Sequence, residues 1–210
     1  MNLFNKLNSI LKEYSEGNKI SAYKKFKKIY LQSNKDIKLR YNLAVMQQEL
    51  GLMDEAEINY ISLIKHKDET KYNIYLYNLY ITKGLYLDAL EIINSIKSKK
   101  LSLIKVDQDR AYILYLINNY KDSIYQCYEV LKADEKNVHV LNTLGLCFLK
   151  LQSYDEANKT LLKAISLDNK NIVILNSLGR LNHDLRKSKE AESYFDKAFT
   201  LNQNSFETLN

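Results

Sequence analysis

Three histidines, two cysteines, 25 aspartates and glutamates and scattered serines are the residues of this 210-residue chain that could do chemistry. A metal site needs His, Cys or carboxylate ligands at short set spacings. His66, His139 and His183 lie far apart, and neither H-E-x-x-H nor C-x-x-C occurs. A phosphate cradle needs a glycine-rich loop, and the five glycines are too widely spread for G-x-G-x-x-G or a Walker A motif. Acids and serines with no such organisation read as a solvated face, so the expectation is no catalytic centre, no metal and no cofactor, and not an enzyme. Cys127 and Cys147 both fall in apolar helical patterns, where reduced core thiols of a cytoplasmic protein are expected rather than a disulfide.

Whatever the chain does must therefore rest on shape, and shape begins with composition. Hydrophobic residues make up 46 % and charged residues 27 %, the balance of a folded globular chain. Proline and tryptophan are absent and glycine occurs five times, so a turn-rich β fold has almost no turn residues to draw on. An all-α fold is what remains. The longest uncharged stretch, Asn137 to Leu149, is 13 residues, short of the roughly 18 or more of a membrane span. The opening residues 1–12 break any apolar run with Lys6 and Lys12 and lack a small-residue cleavage site, so they do not read as a secretory signal.

A single period organises the helices. Ala22, Ala56, Ala89, Ser123, Ala157 and Ala191 follow one another at steps of 34, 33, 34, 34 and 34 residues, each inside an apolar helical pattern. The scarce glycines obey the same register: Gly17, Gly51 and Gly84 lie five residues before a register alanine, and Gly145 and Gly179 lie twelve before one. The first three fall where the chain turns between two helices, and the other two fall inside a helix, where a missing side chain permits close packing. Each unit reads as helix, short turn, helix and polar linker, with linkers such as 133–137 and 167–171. Leu141, Leu144, Gly145 and Phe148 on one helix and Ala157, Leu161, Ala164 and Ile165 on the next give two apolar faces that meet.

These residues resemble the tetratricopeptide repeat, a 34-residue helix-turn-helix unit. The pattern Leu141-x-x-Leu144-Gly145-x-x-Phe148 followed by Ala157, Leu161 and Ala164 carries the likeness, which divides the chain into units at 3–36, 37–69, 70–103, 104–137, 138–171 and 172–205. The resemblance implies an all-α, right-handed α-solenoid of about six such repeats forming a single domain over 1–210. Departures occur at Asn169 and Gln203, where proline usually follows the second helix, and at Tyr77, Asp107 and Arg110, where small or apolar residues are expected in units three and four. Residues 206–210 repeat the opening of a unit, with Leu209 following Leu141 and Leu175, and Asn210 following Asn142 and Asn176. That uncapped end is expected to continue in a longer chain or to be covered by another, self-association included.

The resemblance further implies a concave groove lined by first-helix residues that takes up a partner peptide or helix. Carried onto this sequence, the groove positions include Lys38, Tyr41, Asn42 and Gln48; Lys71, Tyr75 and Asn78; Lys105, Gln108, Tyr112 and Tyr115; Asn142 and Lys150; and Asn176, Arg180 and His183. The function implied is a non-catalytic protein-interaction scaffold that assists assembly. The alternative is the N-terminal regulatory or substrate-docking region of a larger enzyme such as a glycosyl- or methyltransferase. The set of Lys, Asn and Arg with which some relatives clamp a C-terminal carboxylate is not supplied by any three consecutive units. The formal charge of +6 is concentrated early, with Lys19, Lys24, Lys25, Lys27, Lys28 and Lys35 around one helix. With no recognition helix or stacking platform beside them, they read as a solvated face, and no nucleic-acid partner is expected.

Overall fold

Twelve α-helices and no strand occur among the described residues of the computed structural model, which are 2–33, 36–67, 69–98 and 104–207, the side chains of 97, 98 and 204–207 excepted. They group into two compact units, Met1–Lys100 and Leu101–Asn210. The first holds three hairpins: α1 (Leu3–Ser15) with α2 (Lys19–Gln32), α3 (Ile37–Glu49) with α4 (Met53–His66), and α5 (Thr70–Thr82) with α6 (Tyr86–Ser98). The second holds α7 (Ile104–Leu116) with α8 (Tyr120–Ala133), α9 (Val138–Lys150) with α10 (Tyr154–Leu167), and α11 (Ile172–Asp184) with α12 (Ser188–Glu207). Within it, α7, α8, α10 and α11 all pack on α9. No helix among the described residues is long and apolar enough to cross a membrane.

Polar residues set where the odd-numbered helices start. Asn2, Asp36, Asn137 and Asn171 each precede a first turn and accept hydrogen bonds from its free N–H groups, Asp36 Oδ1 taking those of Lys38 and Leu39 at 2.8 and 3.1 Å. Such caps satisfy donors that the helix itself leaves unpaired. The linkers that read as merely polar are therefore helix starts.

All six register residues occupy one structural position, the fourth of each even-numbered helix, and all are buried. No side chain larger than serine is found there, because the two helices of a hairpin approach closely at that level. Ser123 is accommodated because its hydroxyl donates to the Ala111 carbonyl at 2.7 Å and accepts from the Cys147 thiol at 3.1 Å, which satisfies its polarity inside the core.

The six hairpin turns share one backbone as well. Gly17, Gly51, Gly84, Asn118, Gln152 and Arg186 all have φ between 59° and 99°, and the following residue donates its N–H to the carbonyl five residues earlier. This is the hydrogen-bond pattern of a left-handed helix C-terminus. Only the first three turns use glycine, so the second unit carries an unfavourable left-handed conformation on Gln152 and Arg186. Nothing lies within 4 Å of a Cβ added at Gly51, so the cost of Gly51→Ala is that of the backbone alone. Arg186→Gly is expected to stabilise by about 0.5 kcal/mol, strain relief slightly exceeding the entropy cost of glycine, and Gly51→Ala to destabilise by about 1 kcal/mol. Urea denaturation followed by circular dichroism reads both signs.

Across each hairpin the repeat pairs a residue on the odd helix with one on the even helix. The pairs are Ile10 with Phe26, Ala44 with Tyr60, Tyr77 with Ile93, Ala111 with Cys127, Gly145 with Leu161, and Gly179 with Phe195. In four of the six a small residue faces a larger one, and Tyr77 reverses the order by setting the bulk on α5 against Ile93, with both fully buried. Asp107 and Arg110 likewise do not open the fourth hairpin. The Arg110 guanidinium donates to Gln126 Oε1, and Gln126 Nε2 donates to Asp107 Oδ1 at 3.3 Å, a polar bridge from α7 to α8 in place of an apolar one. At the far end α12 has 20 residues against 14 in α10, and Phe206 and Glu207 continue it rather than open a helix; 208–210 lie outside the described residues.

Candidate protein-interaction face

Tyrosines gather on the odd-numbered helices of both units. In the first, Tyr41 of α3 meets Tyr75 of α5 edge-on at 5.3 Å and Tyr72 at 5.9 Å, while Tyr75 stacks on the buried Tyr60 of α4 at 5.6 Å. The Tyr60 hydroxyl donates to Gln48 Oε1 at 2.9 Å, which fixes the lower ring. The Lys71 ammonium lies over the Tyr72 ring at 4.8 Å and the Tyr41 ring at 5.7 Å, and is anchored by Glu69 at 2.8 Å. Offset aromatic pairs and a cation over a ring face each stabilise such a cluster modestly and hold it rigid. Burial, then the neighbouring Tyr75 hydroxyl, pushes the Tyr41 phenol well above its ordinary pKa, so it stays a neutral donor and acceptor.

In the second unit, Tyr112 stacks on Tyr115 at 6.1 Å, and Tyr115 tilts against Tyr120 at 6.0 Å. Tyr115 is half-buried against the core of α9, α10 and α11, and Tyr112 stands 42 % exposed. Burial raises the Tyr115 pKa, and the Arg180 charge of α11 acts against that rise. Both α7 and α11 pack on α9.

The groove positions implied by the sequence divide into three groups. Tyr41, Lys71 and Tyr75 come together in one cluster and Tyr112 and Tyr115 in another, with the Arg180 charge acting on Tyr115. Lys38, Asn176 and His183 are exposed, His183 facing its neighbour Asp184 at 3.4 Å; Asn42, Asn78 and Gln108 are half-buried. Asn142 is the exception. It is buried at 7 % exposure, and its Oδ1 has no hydrogen-bond partner. Sequence reasoning omitted Tyr60, Tyr72 and Tyr120, which complete the clusters, and Phe4 and Leu11, which the register places at groove positions of α1 and which are 66 % and 41 % exposed. The 34-residue register applied to α1 would have found the last two.

The arrangement offers aromatic faces, amides and cations for binding and no reacting constellation. Among the described residues no group of three or more His, Cys, Asp or Glu could hold a metal ion. Cys127 and Cys147 are free and buried, and burial raises both thiols, Cys147 to about 11, so neither is an activated nucleophile.

Comparison with known proteins agrees with this geometry. Residues 138–171 and 172–205 match the family model described as tetratricopeptide repeat. No curated protein matches the sequence. Among solved structures, a tetratricopeptide repeat protein from Parabacteroides merdae superimposes with a TM-score of 0.83 at 19 % identity, over 93 % of this chain and 78 % of that one. MamA from Desulfovibrio magneticus RS-1, residues 41 to its end, gives 0.68 at 20 % identity over 80 % and 96 %. YrrB, described as a tetratricopeptide repeat protein with an unusual peptide-binding site, gives 0.59 at 15 % identity over 84 % and 91 %. The described residues are all-α and built of helix-turn-helix units, of which the last two, 138–171 and 172–205, match the tetratricopeptide repeat.

Proposed function

We propose that this array of tetratricopeptide repeats is a non-catalytic interaction scaffold that seats a partner peptide or helix on its odd-helix groove and so assists assembly. The observation that carries the reading is the stacking of Tyr112 on Tyr115, on whose phenol the Arg180 charge of α11 acts. Tyrosine and arginine are the residue types that most often anchor interfaces, and here they are already ordered, which lowers the entropy cost of binding. The peptide-binding site in the description of YrrB supports the same use of the fold. The free buried thiols support a reducing, cytoplasmic setting.

Affinity capture from the source cells with the intact chain and with Tyr112→Ala plus Arg180→Ala tests it. Loss of bound partners from the double variant is expected, and retention of all of them removes the groove from the account.

Self-association through the last hairpin is the finer part of the proposal. Leu161 is fully buried in its unit, whereas the equivalent Phe195 is 38 % exposed and Phe199, one turn on, 62 % exposed. A mass that rises with concentration in light scattering supports it.

A further inference from the structure

We infer a second docking surface on the outer, even-helix side of the first unit, an apolar cleft between α2 and α4 that takes the leucine-sized side chain of an acidic peptide. The cleft has a volume of ≈ 180 Å³, comparable with the roughly 150 Å³ space that admits a benzene ring. Tyr30, Leu31, Leu43 and Ile58 contribute its apolar walls. Three of its polar lining groups are already engaged: Asn59 Nδ2 donates to Gln47 Oε1 at 2.7 Å, and the Tyr30 hydroxyl accepts from Arg40 Nε at 2.9 Å. An apolar occupant therefore breaks no hydrogen bond on entry.

The two lips of the cleft depart from the repeat. Ile58 lies two residues after its register alanine, where the other units carry Lys24, Glu91, Tyr125, Lys159 and Ser193. Leu31 lies nine after, where the others carry Lys65, Ser98, Lys132, Ser166 and Thr200. The fold does not need apolar residues at either place, yet both stand exposed, at 68 % and 62 %, and face one opening. A pair of exposed aliphatic residues around a preformed apolar recess is a surface that binding would cover.

Charge identifies the occupant. Lys19 is paired with Glu49 at 3.1 Å and Lys25 with Glu13 at 2.7 Å, whereas the exposed Lys24, Lys27 and Lys28 have no carboxylate partner among the described residues. Lys27 lines the cleft together with Glu55, and Lys24 and Lys28 stand exposed beside it on α2. Lysine without arginine or exposed stacking rings suits carboxylates better than bases, and a recess fits one side chain better than a lipid surface. The partner is thus a peptide with one aliphatic anchor among acidic residues.

Fluorescence anisotropy with a labelled glutamate-rich peptide bearing one central leucine, and with its alanine counterpart, tests this on the full chain. The leucine peptide is expected to bind at least about tenfold more tightly, as burial of one aliphatic side chain supports. Ile58→Glu should abolish that difference, Lys24→Glu with Lys28→Glu should weaken both peptides, and Tyr112→Ala with Arg180→Ala should change neither, which separates this surface from the groove. All of these side chains are exposed, so circular dichroism should confirm unchanged folding. Equal binding of the two peptides, or a leucine preference that survives Ile58→Glu, overturns the proposal. So does failure of both peptides while phosphatidylserine vesicles or a single-stranded oligonucleotide bind through the same lysines.

Discussion

Leu161→Ala is expected to destabilise the second unit by about 3 kcal/mol, because the side chain is fully buried between α9, α10 and α11 and its loss leaves a cavity. The more telling result is expected from its partner across the hairpin. A Cβ added at Gly145 would lie 2.6 Å from Leu161 Cγ and 2.7 Å from Cδ2. The Cγ is the branch point of a locked side chain, so no rotation of its methyl groups makes room, and overpacking of this kind costs about 1–3 kcal/mol. Alanine in place of glycine inside a helix returns about 1 kcal/mol. Gly145→Ala alone should thus destabilise by about 1–2 kcal/mol. In the Leu161→Ala background the clash is gone, the methyl group fills part of the cavity, and the same substitution should stabilise by about 1 kcal/mol. Chemical denaturation of the four proteins measures the cycle, and additivity of the two changes would show that the helices do not interlock at this level. Gly179→Ala meets the Phe195 ring at 2.5 Å and should cost less, since that ring is 38 % exposed and free to swing outward.

The same pairing marks how far the sequence can be read. A small residue recurring every 33 or 34 positions is a direct record of close helix approach, so the six hairpins and their buried contact levels were legible from Ala22 to Ala191. The left-handed turns were legible only where glycine reports them. Gln152 and Arg186 adopt the same φ because the hairpin geometry imposes it, and nothing in their side chains announces it, whereas Asn118 is of a type that adopts it more readily. Tyr77, Asp107 and Arg110 looked like faults because a single position was judged without its partner; Ile93 and Gln126 supply the compensation from the other helix. The proposed interaction face was half legible. Register placed Tyr41, Tyr75, Tyr112 and Tyr115 on it, but Tyr60 and Tyr72 join by ring contacts that no helical period encodes.

Burial was the least legible quantity, and Asn142 shows why it matters. Asn142 and Asn176 hold the same register position, yet the first is buried and the second exposed, since α9 is packed on by four helices and α11 is not. The buried Oδ1 of Asn142 lacks a partner, an omission that costs about 1–3 kcal/mol. Asn142→Ala removes the orphaned acceptor and raises helix propensity, so it is expected to stabilise the free protein by about 1–2 kcal/mol, read as a higher urea midpoint. Asn176→Ala, changing propensity alone, should gain about 0.5 kcal/mol. A loss of stability on substitution would instead show that the Asn142 amide supports the fold.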